Sequence, residues 1–306
     1  MKRILLCGST GFMGQNIFDY FLSRKDEYEI FPTSKPQFDL TVNEDVKKLF
    51  ELYKPDIVIQ AAATTSGAKD IIERPYIHVA DNAVMNSLLL RASYDYNIEQ
   101  FIFLSCGVMY QPGNVWRKET DYNESDKIFP SYFGIGWTKV YIEKMMEFYS
   151  SLGRTKYLAI RHSNTYGPYD KFESAGAHVL AATIKKVFDA TDKITVWGNG
   201  TDTARDLIYV DDVVKFIDTA IKKQTIPFDI VNVSAGKFIT VKELVEKIVE
   251  ISGKKISIEY DNSKPSIPTK LCLNNTKAYE SYGWLPETSL EEGLKQTIDW
   301  YKTEIT

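Results

Sequence analysis

Cysteine is scarce in this chain of 306 residues: there are three, Cys7, Cys106 and Cys272. So few, so widely spaced, exclude a disulfide framework and a zinc site built on cysteine pairs. The expectation is free thiols in a reducing, cytoplasmic setting. Also missing is any apolar run near the ~18 residues that span a bilayer, so no membrane partner is expected. The first residues hold a short apolar stretch that runs straight into glycine, without the long apolar region and cleavage site of a signal peptide. Charge of one sign is lacking too. Lys and Arg number 37 against 41 Asp and Glu, which leaves −4 with histidine neutral. That gives no electrostatic footprint for nucleic acid, and an anionic ligand must be held by local positive groups. Repeats and low-complexity segments are absent. A content of 44% hydrophobic and 25% charged residues argues against disorder.

What is present is an alternation of short apolar runs with longer amphipathic stretches. Arg3–Cys7, Tyr28–Thr33, Asp56–Gln60, Phe101–Ser105 and Lys156–Arg161 read as buried strands. Phe12–Ser23, Val42–Tyr53, Val84–Tyr96 and Ser131–Gly153 read as the helices between them. This order predicts an α/β fold: a Rossmann-type, doubly wound parallel sheet with helices on both faces. After about residue 165 the pattern loosens, and Gly167-Pro168 marks a break. Val210–Lys222 and Val241–Gly253 read as helices, the second with Thr240 as its N-cap. At roughly 150 residues per domain, we expect a dinucleotide-binding domain over 1–165 and a smaller C-terminal α/β lobe over 166–306, with interleaved segments. The ligand crevice belongs at the carboxyl ends of the strands.

Gly8-Ser-Thr-Gly11-Phe12-Met13-Gly14 follows the first strand and opens the first helix. Gly8 permits the tight turn, Gly11 lets backbone approach a pyrophosphate, and Gly14 lets the helix pack close to the sheet. The helix start, at Phe12 and Met13, supplies N–H donors and the positive dipole end. The strand that reads the adenosine ribose ends in Thr33-Ser34-Lys35, with no acid. Lys35 could accept a 2′-phosphate, though one lysine is modest equipment for a dianion, and Asp39 is a candidate adenine contact. NAD(H) is favoured and NADP(H) stays open.

Further motifs run along nearly the whole chain. They are Gln60-Ala61-Ala62-Ala63, Asn82, Phe101 through Tyr110, Lys139 with Glu143, and Arg161-His162-Ser163-Asn164-Thr165-Tyr166-Gly167-Pro168. Trp197-Gly-Asn-Gly200, Arg205 through Asp212 and Asn232 through Gly236 complete them. With these the chain resembles the extended short-chain dehydrogenase/reductase family of nucleotide-sugar enzymes, and within it the GDP-fucose synthase branch. The resemblance implies a cofactor site that includes Ala61, Ala62, Asn82, Lys139 on the nicotinamide ribose, and His162. It implies a lobe that holds a nucleotide diphosphate sugar through Asn164, His178, Lys186, Arg205 and Lys270, with Trp197 at the nucleotide end. It also implies a homodimer formed through two long helices.

The chain departs from the family pattern where the chemistry sits. The family's tyrosine, four residues before the lysine, falls on Ile135, which cannot transfer a proton. The family serine falls on Cys106, the branch's epimerising cysteine on Val108, and an arginine of the glycine turn on Thr10. Cys106, Tyr132 and His178 are left as candidate proton carriers beside Lys139. We expect an oxidoreductase acting at C4 of a GDP-linked, mannose-type hexose or heptose, as in the making of bacterial surface polysaccharide precursors. The alternatives are an epimerase or dehydratase that retains NAD, or a non-catalytic NAD(P)-binding partner subunit.

Overall fold

The protein is described by a computed structural model that covers residues 1–64, 73–172, 177–264 and 268–305. Six strands form the central sheet: β1 (Lys2–Cys7), β2 (Tyr28–Thr33), β3 (Ile57–Gln60), β4 (Gln100–Cys106), β5 (Lys156–His162) and β6 (Phe228–Val233). All pair in parallel, in the order β6-β5-β4-β3-β1-β2. Parallel strands need crossovers, and the helices that supply them cover both faces. On one face α1 (Phe12–Leu22) packs through Ile17 and Phe21, and α6 (Val210–Lys223) through Val213, Val214 and Ile217. On the other lie α2 (Asn43–Tyr53), α3 (Ala80–Asp95) and α4 (Phe133–Ser151), packed through Leu49, Phe50, Leu89, Ile142 and Met146. The doubly wound parallel fold is thus as expected.

β6 lies in the second half of the chain yet completes the sheet beside β5. The rest of that half contributes α5 (Val179–Asp189), α7 (Val241–Ser252), α8 (Thr276–Tyr282), α9 (Leu290–Glu304) and several two-stranded pairs. α7 starts as the sequence predicts. The Thr240 hydroxyl accepts the Glu243 N–H at 3.1 Å while the Glu243 carboxylate accepts the Thr240 N–H at 2.8 Å, a capping box. Gly253, at φ +72°, ends it in the left-handed conformation that glycine favours. Among the described residues no helix is long and apolar enough to cross a membrane.

Candidate active site

The carboxyl ends of β1, β3, β4 and β5 carry the site. At the end of β1, Gly8 takes φ +80°, and a Cβ there would stand 2.6 Å from the Ala62 backbone. A Cβ on Gly14 would stand 2.0 Å from the Gly8 carbonyl oxygen, so any side chain would push α1 off β1. Gly11 differs. Its φ of −83° suits any residue, and an added Cβ would meet only the Gly8 oxygen, at 3.5 Å. The fold itself does not require glycine at 11; what the glycine leaves is an open cradle over the helix start. α1 begins there with no side-chain cap and no acid in its first turn, so its first N–H groups and dipole favour an anion. These features fit a dinucleotide pyrophosphate.

Ala61 and Ala62 close the turn from β3, with the Ala61 N–H on the Cys7 carbonyl at 3.1 Å. Asn82 is spent differently from the expected cofactor contact. Its amide donates to the Thr64 and His78 carbonyls at 3.0 and 2.7 Å and accepts the Thr64 N–H at 3.0 Å. These bonds tie Thr64 to the start of α3. Lys35 is exposed and lies 3.7 Å from the Asp39 carboxylate. Asp39 also accepts the Thr41 hydroxyl and N–H, bonds that hold its carboxyl below the ordinary range, with Lys35 a smaller cause.

Cys106 on β4 and His162 on β5 are register partners. Lys139 reaches them from α4. Its ammonium donates to the Leu104 carbonyl at 2.8 Å and lies 4.3 Å from the Phe103 ring centroid. Burial lowers its pKa, against the pull of Cys106 and Glu143. The Cys106 thiol is pushed above its ordinary value by burial, and the nearby Lys139 charge and Val108 N–H offset only part of that. The thiol therefore sits at neutral pH with its proton on, rather than as the thiolate that a nearby lysine suggests on its own. Ile135, one turn before Lys139 on α4, brings no polar side-chain atom to this group.

His162 hydrogen-bonds through Nδ1 to the Ser163 carbonyl at 2.9 Å. Burial lowers its pKa from 6.5 to about 4, with Lys139 and His178 adding smaller pushes. The sign follows directly. Below pH 6.5 the unfolded chain takes this proton while the native ring refuses it, so stability falls as pH drops toward 4. For a half-buried ring the loss is about 1–3 kcal/mol. The raised carboxyl groups of Glu119 and Asp206 act with the opposite sign, so the comparison must be with a variant. His162→Gln should lose less stability than the parent between pH 6.5 and 4 in urea melts. Equal losses would show that the ring is not held neutral.

The lobe supplies the cations. Ala204 bridges to Lys270 and its N–H bonds to the Thr269 carbonyl at 3.2 Å, which brings the backbone segments that carry Arg205 and Lys270 together. The Arg205 guanidinium donates to the Ala204 and Thr269 carbonyls, and burial lowers its pKa while the Tyr132 phenol, within hydrogen-bonding reach, raises it. Tyr132 therefore belongs with Arg205. Lys186 forms a second unit: its ammonium donates to the Thr195 carbonyl at 3.0 Å and lies 5.6 Å from the Trp197 ring centroid. Asn164 is exposed at the start of a short strand (Asn164–Tyr166) beside Leu207–Tyr209. His178 stands at the start of α5 with Nδ1 3.3 Å from Asp170 Oδ1. That hydrogen bond raises its pKa, against a smaller loss from burial.

Two residues that the sequence did not single out support this arrangement. Asp206 is buried and accepts the N–H groups of Ala235, Gly236 and Leu273 at 3.1–3.3 Å, which ties the Arg205 segment to the ends of two others. Asp170 holds His178. The only sequence signal for Asp206 is its place next to Arg205; for Asp170 there is none.

The profile of the NAD dependent epimerase/dehydratase family matches residues 4–234. A GDP-L-colitose synthase of Yersinia pseudotuberculosis is 28% identical over 99% of this chain and 98% of its own. A GDP-L-fucose synthase of Sinorhizobium fredii is 28% identical over 99% and 96%. Among solved structures, the UDP-glucose 4-epimerase of Thermotoga maritima superimposes with a TM-score of 0.86 at 27% identity, over 99% of this chain and all of that one.

Proposed function

Since the chain belongs to the NAD dependent epimerase/dehydratase family, we propose that it is a nucleotide-sugar oxidoreductase acting at C4 of a GDP-linked, mannose-type hexose or heptose. The observation that carries this reading is the meeting of Cys106, Lys139 and His162 at the carboxyl ends of β4 and β5. They lie at the same end of the sheet as the glycine turn, where a dinucleotide and a sugar carbon would meet. The names of the synthases similar to this chain support the GDP-linked substrate.

Gly11, Phe12 and Met13 would hold the pyrophosphate, and Lys139 the nicotinamide ribose. Bound there, the nicotinamide supplies a hydride acceptor or donor for the sugar carbon. Cys106 presents a protonated thiol as hydrogen-bond donor to the reacting oxygen. His178 contacts the sugar and carries its proton. Arg205 and Lys270 grip the diphosphate, with Tyr132 as a brace for Arg205, while Lys186 and Trp197 receive the nucleotide end. Asn164 would serve the sugar side. Lys35 is already drawn toward Asp39, which supports NAD(H) over NADP(H). In this reading Ile135 leaves the site without the family's phenol, and the cytoplasm is the setting. The exposed faces of α3 and α4, with Val84, Tyr141 and Phe148, are the proposed contact with a second copy. The sugar-binding lobe is taken as 166–306, less the sheet strand β6 and the sheet-covering helix α6.

Two variants test the site. Arg205→Ala removes a charged hydrogen bond worth about 1.5–3 kcal/mol, so the KM for the nucleotide sugar should rise roughly ten- to a hundredfold with cofactor affinity little changed. An unchanged KM across a panel of nucleotide sugars would overturn the diphosphate assignment. Cys106→Ala should cut turnover by about tenfold or more with cofactor still bound, as read by mass spectrometry of the intact complex. Full activity would make the thiol a packing group.

A further inference from the structure

The segment 167–172 joins the cofactor helix to His178, and its geometry is costly. Tyr169 holds φ +66°, a left-handed conformation that a non-glycine residue adopts only under strain. Two bonds to α1 keep it there. The Tyr169 phenol donates to Asp19 Oδ2 at 2.9 Å, and the Asn16 amide donates to the Pro168 carbonyl at 2.9 Å. The Tyr169 ring also meets Trp300 of α9 edge-on, 5.1 Å between centroids. The next residue, Asp170, is buried, its side chain 1% exposed. One carboxylate oxygen accepts the Lys171 N–H at 2.7 Å and faces His178 Nδ1 at 3.3 Å. The other is buried with no hydrogen-bond partner among the described residues. A half-satisfied buried carboxylate is a poor structural element. The side chain it faces is the imidazole of His178.

We propose that Asp170 is a positioning residue for His178: its carboxylate accepts the hydrogen bond of Nδ1–H, so that the ring turns a bare Nε2 toward the substrate, and the bonds to Asn16 and Asp19 fix the pair relative to the cofactor helix. This rests on the oxidoreductase reading. Which ring nitrogen is free is set by the bond the other makes. When a sugar hydroxyl gives up its proton, its O–H bond breaks and an Nε2–H bond forms. The positive charge so created on the ring faces the Asp170 carboxylate.

The chain has three histidines, so ¹⁵N-histidine labelling gives three ring systems, and His178→Asn identifies one of them. Long-range ¹H–¹⁵N spectra of the full chain with added NAD, taken through a pH titration, read the tautomer of each deprotonated ring. The expected result is the Nδ1–H form for His178 in the parent and a shift toward Nε2–H in Asp170→Ala. Turnover of the nucleotide sugar should fall about tenfold or more in that variant, with KM changed by less than about twofold. A bare Nδ1 on His178 in the parent overturns the proposal, and so does an Asp170→Ala protein with unchanged tautomer and turnover. If Asp170→Ala does not fold, the parent spectrum still decides, and Asp170→Asn, which keeps an acceptor oxygen, should keep the tautomer and lose turnover. A parent protein that converts no nucleotide sugar would sink the oxidoreductase reading while leaving the tautomer result to judge Asp170.

Discussion

Glu143→Ala should destabilise the fold by about 3–5 kcal/mol, more than any other single substitution considered above. The Glu143 and Arg161 side chains are each 3% exposed, with Arg161 Nη2 2.6 Å from Glu143 Oε2. Arg161 Nε adds a second bond to the other oxygen at 3.1 Å, and the Ser105 hydroxyl a third at 2.7 Å. The remaining face of the guanidinium donates to the Tyr110 hydroxyl at 2.8 Å, which in turn donates to Asn232 at 2.9 Å. The network joins α4, β4, β5 and β6 directly beneath Lys139 and Cys106. Alanine at 143 leaves a guanidinium buried with its charge unanswered, and that desolvation is what the number measures. Urea melts at neutral pH read it as a drop in midpoint at constant slope. The double variant Glu143→Leu/Arg161→Met should cost less than Glu143→Ala, because no lone charge remains. A loss below about 1 kcal/mol in the single variant would mean that water reaches the pair.

How much of this could be read from the residues alone depended on range. The glycine turn, the first five strands of the sheet and the Thr240 cap rest on neighbours within a few positions, and they stand where the pattern put them. β6 does not stand out as a strand in the sequence pattern. Asp229 and Asn232 interrupt its apolar run, and a buried strand with two such residues is stable only because distant groups answer them. Tyr282 and Lys277 take Asp229, while Tyr110 and the Arg117 carbonyl take Asn232. The same holds in the site. Lys35 is drawn to Asp39 by helix-like spacing and was legible in principle. The pairing of Tyr132 with Arg205, and of Asp170 with His178, depends on where loops close, which spacing does not encode. The raised pKa of Cys106 comes from burial summed over several elements, which outweighs the lowering by Lys139 and is not encoded in spacing.

Lys139→Met should reduce turnover at least about a hundredfold while leaving the fold intact. Methionine keeps most of the apolar stem that packs along α4 and removes only the ammonium. That ammonium is held from two sides by β4, through the Leu104 carbonyl at 2.8 Å and the face of Phe103. A cation so fixed cannot be replaced by a mobile one from solvent, and orientation of the ribose against the sugar carbon is what it contributes in the proposed reaction. A second readout needs no substrate. The Lys139 charge lowers the pKa of Cys106, so its removal leaves less thiolate at a given pH, and alkylation of Cys106 by iodoacetamide should slow. Cys7 and Cys272 are fully buried, so the reagent reports on Cys106. Slower alkylation with normal turnover would show that Lys139 tunes the thiol without serving the reaction. Turnover within about threefold of the parent and an unchanged alkylation rate would remove Lys139 from the site altogether and leave the proton chemistry to His178.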